Sequence, residues 1–170
     1  MKLVMMSVRR LNHAVLYVVD LARSLGFYTE VFGFEVIARE GPMAFLRAKR
    51  SDNHHDLGLF EVGLRASRPP RGSTGLYHLA WELTTIDDLM AARDVLKKAG
   101  AWTGESDHGA TKSVYGVDPD GNEFELMVLL PRSEWGRYDS AAPVMPLDWE
   151  HELERAKRKR PLNTRGGADD

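Results

Sequence analysis

The sequence predicts an α+β fold in which two βαβββ modules follow one another and a helical extension closes the chain. Three observations carry this. A β-branched and aromatic strand opening with Leu-x-His occurs twice, as "LNHAVLYVVD" from Leu11 and "LYHLAWEL" from Leu76. Each copy leads into a segment with helical spacing and its own start and stop signals, and then into short strands. Beyond Leu130 the alternation ends, prolines appear, and one charged helical segment follows.

In the first module, Asp20 is a plausible N-cap for the helix "LARSLGFYTEVFG". Its apolar residues Leu21, Leu25, Tyr28 and Phe32 fall on one face, and Gly33 suits the C-terminal stop. Strands are expected at "FEVIARE", "MAFLRAK" and "HDLGLFEV". The linker "GLRASRPPRGSTG" is rich in Gly, Pro and Arg, and its Arg65, Arg68 and Arg71 read by default as exposed loop residues. In the second module, Thr85 with Asp88 resembles a capping box opening a helix through Lys98, stopped by Gly100. "SVYGVD" and "NEFELMVLL" follow as strands joined by a turn. The Leu-x-His units lie too far apart for a solenoid and suit a duplicated module. The expected boundaries are residues 8–62 and 74–130 for the modules, with 8–130 forming one domain, and 131–170 for the extension. Within the extension, "LDWEHELERAKRK" reads as a helix with acids early and bases late, as the helix dipole favours. The basic run Arg155 to Arg160 reads as a solvated helix end, and "NTRGGADD" as a flexible tail. Trp135, Met145 and Trp149 need an apolar surface, on the parent domain or on a second subunit.

Composition narrows the function. The 170 residues carry 43% hydrophobic and 28% charged residues and a formal charge of −2, ordinary for a globular domain and no invitation to nucleic acid. The apolar run in "MKLVMMSVRR" is too short for a signal-peptide core, and no stretch approaches the roughly 18–20 apolar residues of a membrane span. A cytoplasmic location is therefore expected. There is no cysteine, so a thiolate nucleophile, a disulfide and a Cys-based metal site are excluded. Any metal must be held by His, Asp or Glu.

Three polar residues occupy strand positions of equivalent kind: His13 and His78 early in the matching strands, and Glu125 on the last strand. A lone strand His is usually a core or edge residue, and a strand Glu is usually a solvated charge. Duplication changes that balance, because pseudo-symmetric modules place equivalent positions around a shared cavity. Two imidazoles and a carboxylate there would make a facial triad with open positions for substrate. The stretch "DPDGNEFEL" adds a register argument. A type I turn at Asp118–Pro119–Asp120 with Gly121 in the left-handed region pairs Asp118 with Asn122, and hence Tyr115 with Glu125 on one face. Glu123 shares that parity but lies nearer the turn and keeps the solvated reading.

The two-module plan, with "LNHAVLYVVDLARSLGFYTEVFGFEV", "GLYHLAWEL" and "DPDGNEFEL", resembles the vicinal oxygen chelate superfamily, which includes glyoxalases, bleomycin-resistance proteins and extradiol dioxygenases. "HHDLGLF", "DHGATKSVYGVDPDGNEFEL", "PRSEW" and "MPLDWE" are similar to stretches of single-domain catechol 2,3-dioxygenase-like members. The resemblance implies an open-barrel domain over residues 8–130 and Fe(II) bound by His13, His78 and Glu125. It implies extradiol ring cleavage of a catechol-type aromatic substrate with O2, with His55, His108 and Tyr115 as catalytic residues. Tyr115 would donate to a catecholate oxygen, His55 would stabilise developing negative charge, and His108 would deprotonate or orient the substrate. His54 is set aside, since adjacent strand residues face opposite ways. Relatives often dimerise, so a homodimer is expected.

Two alternatives belong to the same superfamily. One is a glyoxalase- or epimerase-like metalloenzyme using Mn(II), Zn(II) or Ni(II), with Glu61 as a fourth ligand because it shares the parity of His55. The other is a metal-free bleomycin-resistance-type binding protein.

Overall fold

A computed structural model of the chain describes residues 6–70 and 72–159. Arg71, Arg160 and the tail "NTRGGADD" lie outside the described residues, as do the first five residues. By its contacts the chain divides into two units, one running to Gly75 and including Asp118–Asn122, the other comprising Leu76–Val117 and the residues from Glu123 onward.

The first unit runs β1 (Ala14–Val18), α1 (Leu21–Glu30), β2 (Glu35–Glu40), β3 (Met43–Arg47) and β4 (Leu57–Glu61). Its sheet has the order β1-β4-β3-β2, with β1 parallel to β4 and the other pairs antiparallel. The Asp20 side chain caps α1 by accepting from the Arg23 N–H at 3.0 Å. One face of the sheet sends Val18, Ala44, Leu46, Leu57 and Leu59 against Leu21, Leu25 and Tyr28 of the helix, all buried. Among the described residues of this unit, no helix covers the other face.

The turn Asp118–Asn122 belongs to this unit and lies against α1. Gly121 has φ +75, the left-handed conformation expected of it, and its N–H donates to the Asp118 carbonyl at 2.9 Å. The Asp118 carboxylate is a hub. It accepts from the Asp120 and Asn122 N–H groups at 2.9 and 2.8 Å, from Asn122 Nδ2 at 2.9 Å, and from the buried Tyr28 hydroxyl at 3.0 Å. Asp120 pairs with Arg23 and accepts from the Val19 N–H at 3.1 Å. Arg68 and Arg65 are both exposed as expected, and Arg68 also donates to the Pro119 carbonyl of the turn at 3.2 Å.

The second unit repeats the plan: β5 (His78–Glu82), α2 (Ile86–Lys98), β6 (Trp102–Asp107), β7 (Thr111–Val117) and β8 (Glu123–Leu129), in the order β5-β8-β7-β6. The capping box is present, with Thr85 Oγ1 accepting from the Asp88 N–H and Asp88 returning to the Thr85 N–H, both at 3.1 Å. β6 has no counterpart among the expected strands. Its "WTGESD" combines Gly with three polar residues of low strand propensity and forms the sheet edge.

The extension packs on this same unit. Two 3-10 turns, Arg132–Glu134 and Gly136–Asp139, precede α3 (Trp149–Lys159), which begins two residues later than the expected helix. Trp149 donates its indole N–H to Glu105 at 3.0 Å beneath the Arg93 guanidinium, and Trp135 donates to the Leu130 carbonyl at 2.6 Å. Lys112, only 4% exposed, pairs with Asp107 and with Glu152 of α3, and Arg155 joins Glu152 to Glu134. A buried ammonium is tolerated because two carboxylates face it. No helix among the described residues is long and apolar enough to cross a membrane.

Candidate metal centre and its neighbours

In the second unit, strand register dictates which side chains share the helix-free face. β5 and β8 pair Ala80 with Glu125, and β7 and β8 pair Tyr115 with Glu125, as the turn geometry predicts. His78, Tyr115 and Glu125 therefore point the same way, while Phe124, Leu126 and Val128 enter the core. Trp81 lies on the core side of β5, opposite Leu126.

On that face His78 Nε2 lies 3.1 Å from Glu125 Oε2. Two donors at neighbouring corners of an octahedron with bonds of about 2.1 Å lie roughly 3 Å apart, so the spacing suits a shared divalent cation. His78 Nδ1 is buried without a partner among the described residues. Without a cation the Glu125 carboxylate accepts from Nε2–H; with no described residue held to Nδ1, the proton is free to sit there when Nε2 takes a cation. Among the described residues no group of three or more His, Asp or Glu side chains is clustered as a ready metal site, so the triad's third member is not supplied within this face.

Tyr115 and His108 form the neighbouring pair. His108 Nε2 lies 2.7 Å from the Tyr115 hydroxyl, and His108 Nδ1 lies 2.7 Å from the Pro143 carbonyl. A carbonyl only accepts, so Nδ1 carries the proton and the neutral ring offers its Nε2 lone pair to the phenol. Burial, then the Glu125 charge, raises the Tyr115 pKa above the usual tyrosine value, so the hydroxyl keeps its proton.

His13 and His55 meet in the first unit, with ring centroids 4.4 Å apart. His13 sits one residue before β1 and is exposed. Phe45 packs edge-on to His55 at 5.1 Å, and Phe60 packs on Phe45 at 5.9 Å, all on the helix-free side. Burial, with the adjacent His13 and His54 rings, lowers the His55 pKa below the usual histidine range and makes it a neutral imidazole at neutral pH. His54 touches it through the two Nδ1 atoms at 3.0 Å. The strand expected to start at His55 starts instead at Leu57, after Asp56, whose side chain accepts from the Ala48 N–H at 2.8 Å and from Ser51 and Asn53.

That shift corrects the reading of Glu61. Parity counted from His55 does not hold, since Leu57, Leu59 and Glu61 share the helix side of β4. Glu61 Oε2 accepts from the Leu21 N–H at 2.8 Å, at the N-terminus of α1. Sequence reasoning missed the Pro143 carbonyl at His108 entirely.

A duplicated βαβββ plan carrying a carboxylate–imidazole pair on the helix-free face of a sheet defines a class of paired-module proteins. The comparisons agree with that class. The model of the "Glyoxalase/Bleomycin resistance protein/Dioxygenase superfamily" matches residues 10–126, and the chain belongs to this superfamily. It is 36% identical over 154 residues to a catechol-2,3-dioxygenase of Bacillus subtilis (strain 168), covering 88% of this chain and 53% of that one. It is 34% identical to biphenyl-2,3-diol 1,2-dioxygenase 3 of Rhodococcus globerulus, covering 70% of this chain and 63% of that one. The chain thus spans between about half and two thirds of these relatives' lengths. A solved glyoxylase/bleomycin resistance protein/dioxygenase domain from Frankia sp. EAN1pec shares the fold, with TM-score 0.61, 23% identity, and coverage of 73% of this chain and 100% of that one.

Proposed function

We propose that this chain is an extradiol ring-cleaving dioxygenase that acts on a catechol-type substrate with O2. In this reading residues 8–130 work as one domain, and Fe(II) is held by His13, His78 and Glu125. The observation that supports it best is the His78–Glu125 pair at 3.1 Å, with the Tyr115–His108 pair on the same unit. The likeness to two diol dioxygenases supports the choice of substrate class. The rival with Glu61 as a fourth ligand is disfavoured by the engagement of that carboxylate with the Leu21 N–H.

When bound, the metal supplies Lewis acidity toward the diol and a redox partner for dioxygen. The chain's own residues handle the proton and the charge. A proton leaving the diol passes to the Tyr115 phenol oxygen as the phenol proton moves to His108 Nε2, the nitrogen it already bonds. Tyr115, kept protonated by its surroundings, then donates to the oxygen that lost the proton. His55, as a neutral imidazole, donates to negative charge developing on the oxidant side.

The test is anaerobic loading with Fe(II), followed by a catechol panel read by oxygen uptake and by the yellow ring-fission product. The reading expects both signals for at least one catechol. Their absence across the panel, with metal bound, overturns it. Protein purified without chelators should contain metal, and a metal-free protein with an intact fold would favour the binding-module alternative.

A further inference from the structure

We propose that residues 136–152 act as a positioning strap for His108, fixing its tautomer so that Nε2 is always the atom presented to Tyr115. The strap grips both chain neighbours of His108 as well as its ring. Before it, Asp107 and Met145 exchange backbone hydrogen bonds at 2.8 and 3.0 Å as an isolated antiparallel bridge. After it, Gly109 has φ +80 and no room for a side chain, since a Cβ there would stand 2.3 Å from Tyr138 Cγ. At the ring, the Pro143 carbonyl takes the Nδ1 proton at 2.7 Å. The far end is anchored by Glu152, which is 3% exposed and faces the buried Lys112 ammonium.

These contacts, to the backbone on either side and to the ring, converge on one histidine. An unheld neutral imidazole divides its proton between both nitrogens, and the Nε2–H form cannot accept from the phenol. Pro143, Met145 and Tyr138 are thus positioning residues that act through His108. The consequence for turnover rests on the dioxygenase reading above; the tautomer does not.

The test uses the full chain with ¹⁵N-labelled histidine, reading ring tautomers by long-range ¹⁵N–¹H correlation, with the His108 signal assigned by His108→Gln. In the parent, His108 is expected protonated at Nδ1 and bare at Nε2. Tyr138→Ala and Met145→Pro, each confirmed folded by far-UV circular dichroism, should shift His108 to a mixed tautomer. They should also lower kcat on catechol roughly 10- to 100-fold with little change in KM, the scale expected of a misplaced catalytic group. If Met145→Pro fails to fold, Tyr138→Ala decides. An Nε2–H tautomer in the parent overturns the proposal, and so does an unchanged Nδ1–H signal in the folded variants. Correct tautomers with no turnover by the parent support the strap and overturn the dioxygenase reading instead.

Discussion

Tyr28→Phe is a sharp test of how the DPDG turn is held. It removes one hydroxyl and keeps the ring, which packs against Phe27, Phe32 and Phe34 at centroid distances of 5.1–6.3 Å. The lost interaction is one hydrogen bond of 3.0 Å to a carboxylate, with donor residue 3% and acceptor residue 4% exposed. Bonds to charged groups contribute about 1.5–3 kcal/mol. The lower end applies here, because Asp118 Oδ2 keeps its bond from Asn122 Nδ2 at 2.9 Å and is not orphaned. A loss of about 1.5–2 kcal/mol lowers Tm by roughly 3–8 °C for a chain of this size. The same bond has a pH signature. Burial, then Asp118, raises the Tyr28 pKa far above its unfolded value near 10, so the folded hydroxyl stays protonated in alkali while the unfolded one ionises. A group raised in the fold gives its full stabilisation below the unfolded pKa and loses it as pH rises toward the folded one. At pH 11 the ionising unfolded chain gains about 1.4 kcal/mol from this residue alone. The phenylalanine variant has no such group, and the other tyrosines are common to both proteins. The gap in stability between parent and variant should therefore be widest at pH 7–9 and nearly close by pH 11, measured by urea unfolding across that range. An equal Tm at pH 7, or a gap that widens above pH 10, refutes the buried Tyr28–Asp118 bond.

Three other substitutions probe the second unit. Gly116→Ala places a Cβ 2.6 Å from Phe124 Cζ and 2.9 Å from the Ala101 carbonyl, so urea unfolding should show a loss of about 1–3 kcal/mol. Tyr115→Phe removes the partner of His108 Nε2 without touching the core; Tm should move by about 1 kcal/mol equivalent or less, while kcat on any active catechol falls about 10²- to 10⁴-fold. Glu125→Gln takes the charge from the His78 pair, so calorimetric titration with Fe(II) or Mn(II) should show binding weakened by more than tenfold, and affinity equal to the parent's would remove Glu125 from the ligand set.

Local rules made much of this chain readable before its coordinates. The caps at Asp20 and Thr85 and the Asp118–Gly121 turn are decided by a few adjacent residues, and all three form as their chemistry requires. The turn carries further than its own length, because a hairpin's register follows from its loop, and so Tyr115 faces Glu125. Failures came where a tertiary partner overrides a local signal. β6 is a poor strand by composition and forms because β7 offers a ladder to its polar edge. The strand stops short of His55 beyond Asp56, whose side chain accepts from Ala48, Ser51 and Asn53 in bonds that no periodicity announces. The Pro143 carbonyl reaches His108 across a proline-rich segment with no repeating pattern to read.

Glu61 and Glu125 show how thin the margin was between a structural acid and a candidate ligand. Both sit on the fourth strand of a βαβββ module, each paired in parallel with that module's first strand. Glu61 falls at the end of β4 on the side of α1, level with the exposed N–H groups of the helix start, and a carboxylate there is drawn to the positive end of the helix dipole. Glu125 lies in mid-strand on the opposite kind of face, with Ala80 across from it. A methyl group leaves the space beside Glu125 open, so its carboxylate can lean diagonally to His78, two residues back along β5. The side chain's meaning is set by which face its strand turns to it and by the size of its cross-strand neighbour. A bulky residue at position 80 would close the diagonal and return Glu125 to the role of an ordinary surface charge.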